Sequence, residues 1–121
     1  MENYSAYLLT DKARNELLAK FPPKYSKVVA HHITVKFGAP NAEPPAPAMV
    51  AVVGYIDSGD GLEALVCSVN GTTERADGSK YHITWSLEPG KYSPKDSNAL
   101  LRSKRFTLTR AYPIETTPEV L

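Results

Sequence analysis

The tripeptide His-Ile-Thr occurs twice in this chain, at residues 32–34 and 82–84, each time within a short apolar run that predicts a β-strand. Side chains two residues apart point to the same face of a strand, so each copy places an imidazole beside a hydroxyl and its isoleucine on the other face. With nine threonines in the chain, a given histidine has a threonine two residues later in about 7% of cases by chance. Two of the three histidines have one. The repeat therefore predicts two matched strands, each with one polar and one buried face.

The alternation continues beyond the tripeptides. It places Lys36 on the polar face of the first strand and Ser86 on the polar face of the second. Threonine favours strands in its own right, so two half-exposed strands are one interpretation. Ordinary solvent faces favour lysine and glutamate, however, and the pairing of histidine with threonine indicates a cleft. The same alternation places His31 on the opposite face with Ile33, so we predict no catalytic role for His31.

Turn and cap signals divide the rest of the chain into short elements. We predict about six strands and two helices. They are a strand at 4–9, a helix from Thr10 or Asp11 to about 20, motif strands at 28–37 and 80–87, a hairpin of 49–56 and 62–69, a short helix capped by Ser97 and reaching about 102, and a last strand at 106–112. Gly38 closes the first motif strand, and a proline-rich loop that includes Pro40 follows it. This order predicts a single α+β domain with a largely antiparallel sheet.

Composition narrows the class of partner. The net charge of +1 argues against a long duplex nucleic acid or an intact tRNA, so small nucleotides or RNA ends fit better. The basic residues Arg102, Lys104 and Arg105 cluster, but such a run is more often a solvated face than a contact with a phosphate backbone. Cys67 is the single cysteine, which excludes an internal disulfide and predicts a core thiol. We find no apolar stretch long enough to cross a membrane and no basic start of a signal peptide, and expect a cytoplasmic protein.

The two motifs, each a histidine, an aliphatic residue and a threonine on a strand, resemble those of the two-histidine (2H), or LigT-like, phosphoesterase superfamily. Residues 81–84, followed by Pro-Lys-Asp-Ser-Asn-Ala-Leu-Leu at 94–101, are similar to the cyclic phosphodiesterase domain of fungal-type tRNA ligases. The resemblance implies one 2H phosphoesterase domain over residues 1–121, with a bilobal LigT-like fold. Mainly antiparallel sheets would surround a central groove, flanked by one or two helices. The two motif histidines are 50 residues apart, a short separation that leaves little room for an elaborate second lobe.

The resemblance also implies an activity. The family hydrolyses 2′,3′-cyclic phosphates of nucleotides or RNA ends, or related 2′-5′ or cyclic oligonucleotide linkages, without metal or other cofactor. His32 and His82 would act as general acid and base, in either order, and Thr34 and Thr84 would donate to the phosphoryl oxygens. In-line displacement needs acid and base on opposite sides of phosphorus, which two separate strands provide, and imidazole titrates near about 6.5. A nucleotide or RNA end is the expected partner, in RNA repair or the removal of a nucleotide signal, and the protein is expected to be a monomer.

Other side chains are candidates for substrate binding. Lys36 and Ser86 follow each motif threonine by two residues and are the next candidates for contact with phosphate. Tyr81, beside the second motif, is a candidate for stacking on a base, as are Tyr92 and Phe37.

Two alternatives remain open. A metal site built from His31, His32 and His82 is disfavoured because adjacent strand residues diverge and no acidic residue lies at ligand spacing, so we predict no metal ligands. A non-catalytic nucleotide- or RNA-binding module of the same fold is the second alternative. The two intact histidine and threonine pairs disfavour it.

Overall fold

The structure, a computed structural model, describes residues 4–37 and 43–121. Gly38 and Pro40, which the sequence places at the end of a strand and in the following loop, lie outside the described residues. The described parts form eight strands and two helices. They are β1 (Ser5–Leu9), α1 (Asp11–Lys20), β2 (Lys27–Val28), β3 (His32–Lys36), β4 (Val50–Asp57), β5 (Leu62–Val69), β6 (His82–Leu87), α2 (Asp96–Ser103), β7 (Thr107–Ile114) and β8 (Thr116–Val120). The α+β class is as predicted, and so is the hairpin of β4 and β5.

The strands form two antiparallel sheets. A three-stranded sheet has the order β3-β1-β8, and a five-stranded sheet has the order β2-β6-β5-β4-β7. The sequence did not predict β8, which pairs with β1. This strand contains Pro118, a residue that counts against a central strand but is tolerated at a sheet edge. The edge position of β8 therefore explains how the chain accommodates this proline.

The first motif lies on a shorter strand than predicted. We predict one strand over residues 28–37, whereas the structure has two strands in two different sheets. Strand β2 pairs with β6 in the five-stranded sheet, and β3 pairs with β1 in the three-stranded sheet. The prediction of a continuous strand is therefore wrong.

The break lies at Ala30. This residue has a φ of 44°, a left-handed conformation that residues other than glycine adopt rarely. Its amide donates to the carbonyl of Thr84 on β6 (3.0 Å), whereas the carbonyl of the next residue, His31, accepts from the amide of Leu9 on β1 (3.0 Å). Ala30 is thus the point at which the chain leaves one sheet for the other. The first motif begins two residues later, on the second sheet.

Both sheets and α1 share one core. Its largest fully buried side chain is Trp85, whose indole N–H donates to the carbonyl of Phe21 (2.7 Å). Cys67 is fully buried in the same core, as predicted, and burial raises the pKa of its thiol. The other buried members come from α1, the segment after β2 and strands of both sheets: Tyr7, Leu9, Leu17, Ala30, Ile33, Val50, Val52, Leu65, Val69 and Ile83. This common core ties the two motif strands to one another.

Helix α1 begins and ends as the sequence predicts. The Thr10 hydroxyl accepts from the amide of Ala13 (3.2 Å), so Thr10 caps the helix. Phe21 ends the helix with a φ of −125° and a ψ of 77°, outside the helical region that a following proline disfavours. Neither helix of the described residues is long and apolar enough to cross a membrane.

Candidate active site

Both motifs face one cavity between the two sheets. The cavity has a volume of about 260 Å³ and is lined by His32, Thr34, His82 and Thr84. Strand β3 belongs to the three-stranded sheet and β6 to the five-stranded sheet, so each sheet contributes one histidine and one threonine. The rest of the lining comes from the start of the described chain, the segments beside the motifs and the region of α2: Tyr4, Val29, Phe37, Arg75, Pro94, Lys95 and Asn98. The structure thus brings together the four residues predicted to be catalytic.

The ring of His82 is held in one tautomer. Its Nδ1 lies 2.8 Å from the carbonyl oxygen of Lys80, and because a carbonyl only accepts, Nδ1 carries the proton. The neutral ring then has its lone pair on Nε2. Burial is the main cause that lowers the pKa of His82, and Arg75 acts in the same direction. The hydrogen bond to Lys80 and the carboxylate of Asp77 oppose this shift by favouring the protonated ring.

His32 is the more strongly perturbed histidine. Burial, then the neighbouring His31 and His82, lower its pKa to about 4, and none of the groups in residues 4–37 and 43–121 that act on it raises it. Its Nδ1 lies 2.9 Å from Nδ1 of His31, and the two ring centroids are 5.1 Å apart. Tyr4 packs on the ring of His32, with centroids 5.4 Å apart. Near neutral pH the free protein therefore holds a neutral imidazole here.

The predicted position of His31 is wrong. Alternation along a strand places it on the opposite face from His32, beside Ile33. Instead His31 is exposed and contacts the His32 ring, while Ile33 is fully buried. The physical reason is that His31 precedes β3 and follows the left-handed Ala30, so the strand alternation does not extend to it.

The two threonines differ in what their hydroxyls already contact. Both side chains are buried, but the Thr34 hydroxyl makes no hydrogen bond with any other described residue. The Thr84 hydroxyl donates to the carbonyl of Pro94 (3.1 Å) and lies 2.9 Å from the hydroxyl of Ser97. A hydroxyl has one proton, so the bond to Pro94 occupies the proton of Thr84. Thr34 therefore has a free donor, and Thr84 does not.

Ser97 is not the helix cap that the sequence predicts. Helix α2 begins at Asp96, and the residue at its cap position, Lys95, makes no capping hydrogen bond through its side chain. Ser97 is fully buried inside the first turn, where its hydroxyl meets Thr84. Serine near a helix start is often the N-cap residue, but here the Ser97 hydroxyl is used in the contact with Thr84 on β6.

Arg75 is a cavity residue that sequence reasoning missed. Its guanidinium is almost fully buried, donates from Nε to Asp77 (2.9 Å) and from Nη2 to Asn98 (3.0 Å), and lies 5.4 Å from the centre of the Phe37 ring. It thus places a fixed positive charge beside His82. The turn signal at Asp77-Gly78 shows that the chain reverses near Arg75, but no local pattern shows that an arginine there is buried.

Three of the predicted substrate contacts do not line the cavity. Lys36 is exposed beyond it. Ser86 is fully buried and donates to the carboxylate of Glu63 on the neighbouring strand, which corrects its assignment as a phosphate contact. Tyr81 packs against the core on the other side of the strand from His82, so its predicted role in base stacking is also corrected. Phe37 does line the cavity, and it replaces Tyr81 as the aromatic face available to a base.

A register shift explains why the alternation fails beyond each threonine. On β3 the pairing with β1 shifts between Thr34 and Lys36, and on β6 the pairing with β5 shifts between Thr84 and Ser86. Such an irregularity re-aims the side chains that follow it. The polar faces of both strands consequently extend only as far as the threonines.

The remaining candidates lie elsewhere. The Tyr92 hydroxyl donates to Asp60 (2.7 Å), outside the cavity lining. Among residues 4–37 and 43–121, no three histidine, cysteine, aspartate or glutamate side chains are grouped to hold a metal ion.

The low pKa of His32 predicts a pH-dependent stability. The unfolded chain takes up a proton on this ring near pH 6.5, whereas the folded chain does so only near about 4. Stability therefore falls as the pH decreases between these values, because the unfolded state binds more protons there. Aspartates with a lowered pKa, such as Asp57 and Asp77, make stability depend on pH only at lower pH values than these.

Urea unfolding between about pH 7 and about pH 4.5 tests this expectation. His32→Gln, which stays neutral, is expected to lose less stability on acidification than the wild type. Equal pH dependence in both proteins would contradict a buried neutral His32.

The cavity has two imidazoles, one free hydroxyl and one fixed guanidinium, with an aromatic ring at its edge. This set of groups suits a small anionic ligand that carries a ring system, and it provides groups for transferring protons to and from that ligand. Comparison of the chain with protein-family models, curated proteins and solved structures finds no match.

Proposed function

We propose that this chain is a metal-independent phosphodiesterase of the 2H, or LigT-like, type that hydrolyses 2′,3′-cyclic phosphates of nucleotides or RNA ends, or related 2′-5′ or cyclic oligonucleotide linkages. The two sheets would be the two lobes of the LigT-like fold. One observation carries the proposal: each sheet contributes a histidine and a threonine two residues later to the same cavity. Proton transfer from two sides and donors between them are what in-line displacement at phosphorus requires.

The proposal assigns different roles to the two histidines. Burial and the neighbouring His31 and His82 lower the pKa of His32, so this ring is neutral near neutral pH and is the one available to accept a proton as the base. The Lys80 carbonyl and Asp77 favour the protonated form of His82, so this is the ring that can carry the proton the acid has to supply. The negative charge of a bound phosphodiester between the rings favours protonation of one of them, and His82 is the ring equipped to accept it.

The reaction then proceeds in one displacement. The neutral imidazole of His32 takes a proton from water as the water oxygen bonds to phosphorus. The bond from phosphorus to one ribose oxygen breaks, and protonated His82 gives its proton to that oxygen. Thr34 and Arg75 supply a neutral and a charged donor to the other phosphoryl oxygens, and Phe37 offers a face to the base. A proton passed from His32 to His82 through solvent restores the starting state.

A non-catalytic nucleotide-binding module of the same fold is the second candidate. One observation favours it: the proton of Thr84 is already used by Pro94, so only one of the two threonines has a free donor. This candidate predicts that cyclic nucleotides bind without being converted. In either case we propose a cytoplasmic monomer that acts in RNA repair or in removal of a nucleotide signal, and the small net charge favours nucleotides or RNA ends over a long duplex as its partner.

The first experiment is turnover of nucleoside 2′,3′-cyclic monophosphates, 2′-5′ oligoadenylate and cyclic oligonucleotides in excess EDTA, with the product isomers resolved. Turnover is expected to persist, because two histidines supply the proton transfers that a metal-bound water otherwise provides. Loss of turnover in EDTA that a divalent ion restores would contradict the metal-free proposal. Binding with no product from any substrate would favour the non-catalytic module.

A further inference from the structure

A second concavity lies beyond the end of α2. It has a volume of about 450 Å³, larger than the cavity of the motifs, and we call it the basic groove. It is lined by Lys80, Leu101, Arg102, Ser103, Lys104, Arg105, Phe106 and Leu108. The cluster of Arg102, Lys104 and Arg105, which the sequence predicts to be a solvated face, therefore lines this groove.

A third, smaller concavity adjoins both the basic groove and the catalytic cavity. This depression, of about 220 Å³, shares Asn98 with the cavity and shares Lys80, Leu101 and Arg102 with the groove. Asn98 and Arg102 are four residues apart on α2, so they lie on the same face of the helix, about 6 Å apart along its axis. One strand of a polymer can therefore follow this face from the cavity into the groove.

The charge of this path suits an anion. Arg102 and Arg105 are exposed and make no ion pair with other described residues. Lys104 donates to the carbonyl oxygen of Asp57 (2.7 Å), and Lys80 pairs with Glu74 (2.6 Å), so these two amines are engaged. No aspartate or glutamate is among the described residues that line the groove or the depression. Two guanidinium groups are thus available to phosphates, which they bind in a bidentate manner.

The groove also has an apolar part. The side chain of Leu108 is 77% exposed, and Phe106 lies two residues before it. A large exposed apolar side chain beside free guanidinium groups is suited to a ligand that alternates charged and flat apolar groups. A single-stranded nucleic acid has this alternation, since its phosphates repeat between bases.

We propose that the basic groove binds the RNA strand that leads into the cavity, so that the substrate is an oligoribonucleotide 3′ end rather than a mononucleotide. This inference rests on the proposed function. A 2′,3′-cyclic phosphate occupies the last nucleotide, so the rest of the strand extends in the 5′ direction from the cavity. Arg102 and Arg105 would contact its phosphates, and bases would lie on Leu108.

The test compares two substrates, a short oligouridylate that ends in a 2′,3′-cyclic phosphate and uridine 2′,3′-cyclic monophosphate. Wild type is expected to have the higher kcat/KM on the oligomer. In Arg102→Glu/Arg105→Glu, kcat/KM on the oligomer is expected to fall about tenfold or more, with kcat/KM on the mononucleotide within about twofold. The slope of log kcat/KM against log salt for the oligomer should also become shallower by about 1.4, for two lost phosphate contacts on a single strand.

Lys12→Glu/Lys27→Glu is the matched control, since it changes the net charge equally at two exposed sites outside the groove. It is expected to leave the preference for the oligomer unchanged. Arg102 also lies at the negative end of α2, and a purely structural role there predicts lower thermal stability with no change in substrate preference. Equal losses on both substrates, or a control that behaves like the groove variant, would overturn the proposal.

Equilibrium binding separates this inference from the proposed function. Fluorescence anisotropy of a labelled oligouridylate with a 3′-phosphate is expected to show salt-sensitive binding that the groove variant weakens about tenfold, whether or not any substrate turns over. Turnover of the mononucleotide without binding of the oligomer would overturn the groove proposal alone. An acidic protein would then be the alternative partner for the basic groove. Oligomer binding without turnover of either substrate would support the groove and contradict the phosphodiesterase.

Discussion

Replacement of His82 by alanine is expected to lower kcat on 2′,3′-cyclic nucleotides by about 10²-fold or more, and replacement of His32 by a similar factor. Each imidazole is proposed to move one proton in the displacement, and general acid or base catalysis contributes about 10² to 10⁴ to a rate. Both rings line a cavity rather than fill the core, so the folded state is expected to persist. Steady-state kinetics at saturating substrate, with circular dichroism and thermal melts on the same samples, provides the measurement.

The double variant tests whether the two rings act in one step. Residues that act as a unit are strongly non-additive, so His32→Ala/His82→Ala should be much less impaired than the product of the single effects predicts. Independent, multiplicative losses would contradict a shared displacement.

His31→Ala is the comparison within the same segment. The sequence places His31 on the far face and so predicts a cost in stability with nearly unchanged turnover, but the structure sets its ring against His32. Removal of His31 takes away one cause of the low pKa of His32, so the acid limb of the pH–rate profile should move to higher pH. The loss of kcat at the optimum should be smaller than for His32→Ala. A loss as large as that of His32→Ala would assign His31 a direct role.

The sequence predicts those features that depend on neighbouring residues. The pairing of each histidine with a threonine follows from the two-residue repeat of a strand, and both pairs line the cavity. The cap at Thr10 and the hairpin before the second motif likewise follow from local turn and cap chemistry.

The sequence does not predict features that depend on contacts between distant residues. A left-handed Ala30 has no signature, since alanine prefers helical and extended conformations, yet it moves the first motif to another sheet. The register shifts after each threonine remove Lys36 and Ser86 from the cavity although strict alternation includes them. The buried guanidinium of Arg75 donates to the side chain of Asn98, which is 23 residues away in sequence. These features arise from how the sheets pack together, which no single strand encodes.

Thr34→Val is expected to lower kcat more than Thr84→Val, although the two threonines occupy equivalent places in the repeat. The Thr34 hydroxyl has no partner among the other described residues and is free to donate to a phosphoryl oxygen. The loss of a donor of this kind costs up to about 2.7–4 kcal/mol in transition-state stabilisation, or about 10² to 10³ in kcat. Valine keeps the shape of threonine, so the folded state should be preserved.

Thr84→Val is expected to act mainly on stability. It removes the partner of the buried Ser97 hydroxyl, and an unsatisfied buried polar group costs about 1–3 kcal/mol. Urea unfolding and kcat measured on the same variants separate the two effects.

Two variants make this comparison specific. Thr34→Ser keeps the hydroxyl and should recover most of the turnover that Thr34→Val loses, whereas Thr109→Val removes a hydroxyl outside the cavity and should change neither property. If Thr84→Val lost as much turnover as Thr34→Val and kept its stability, the bond from Thr84 to Pro94 would have to open when substrate binds. Thr84 would then donate to the phosphate in the complex, and the amide of Ser97, which lies 3.3 Å from the Pro94 carbonyl, would remain the donor to that carbonyl. The two motifs would in that case be equivalent in the complex although they differ in the free protein.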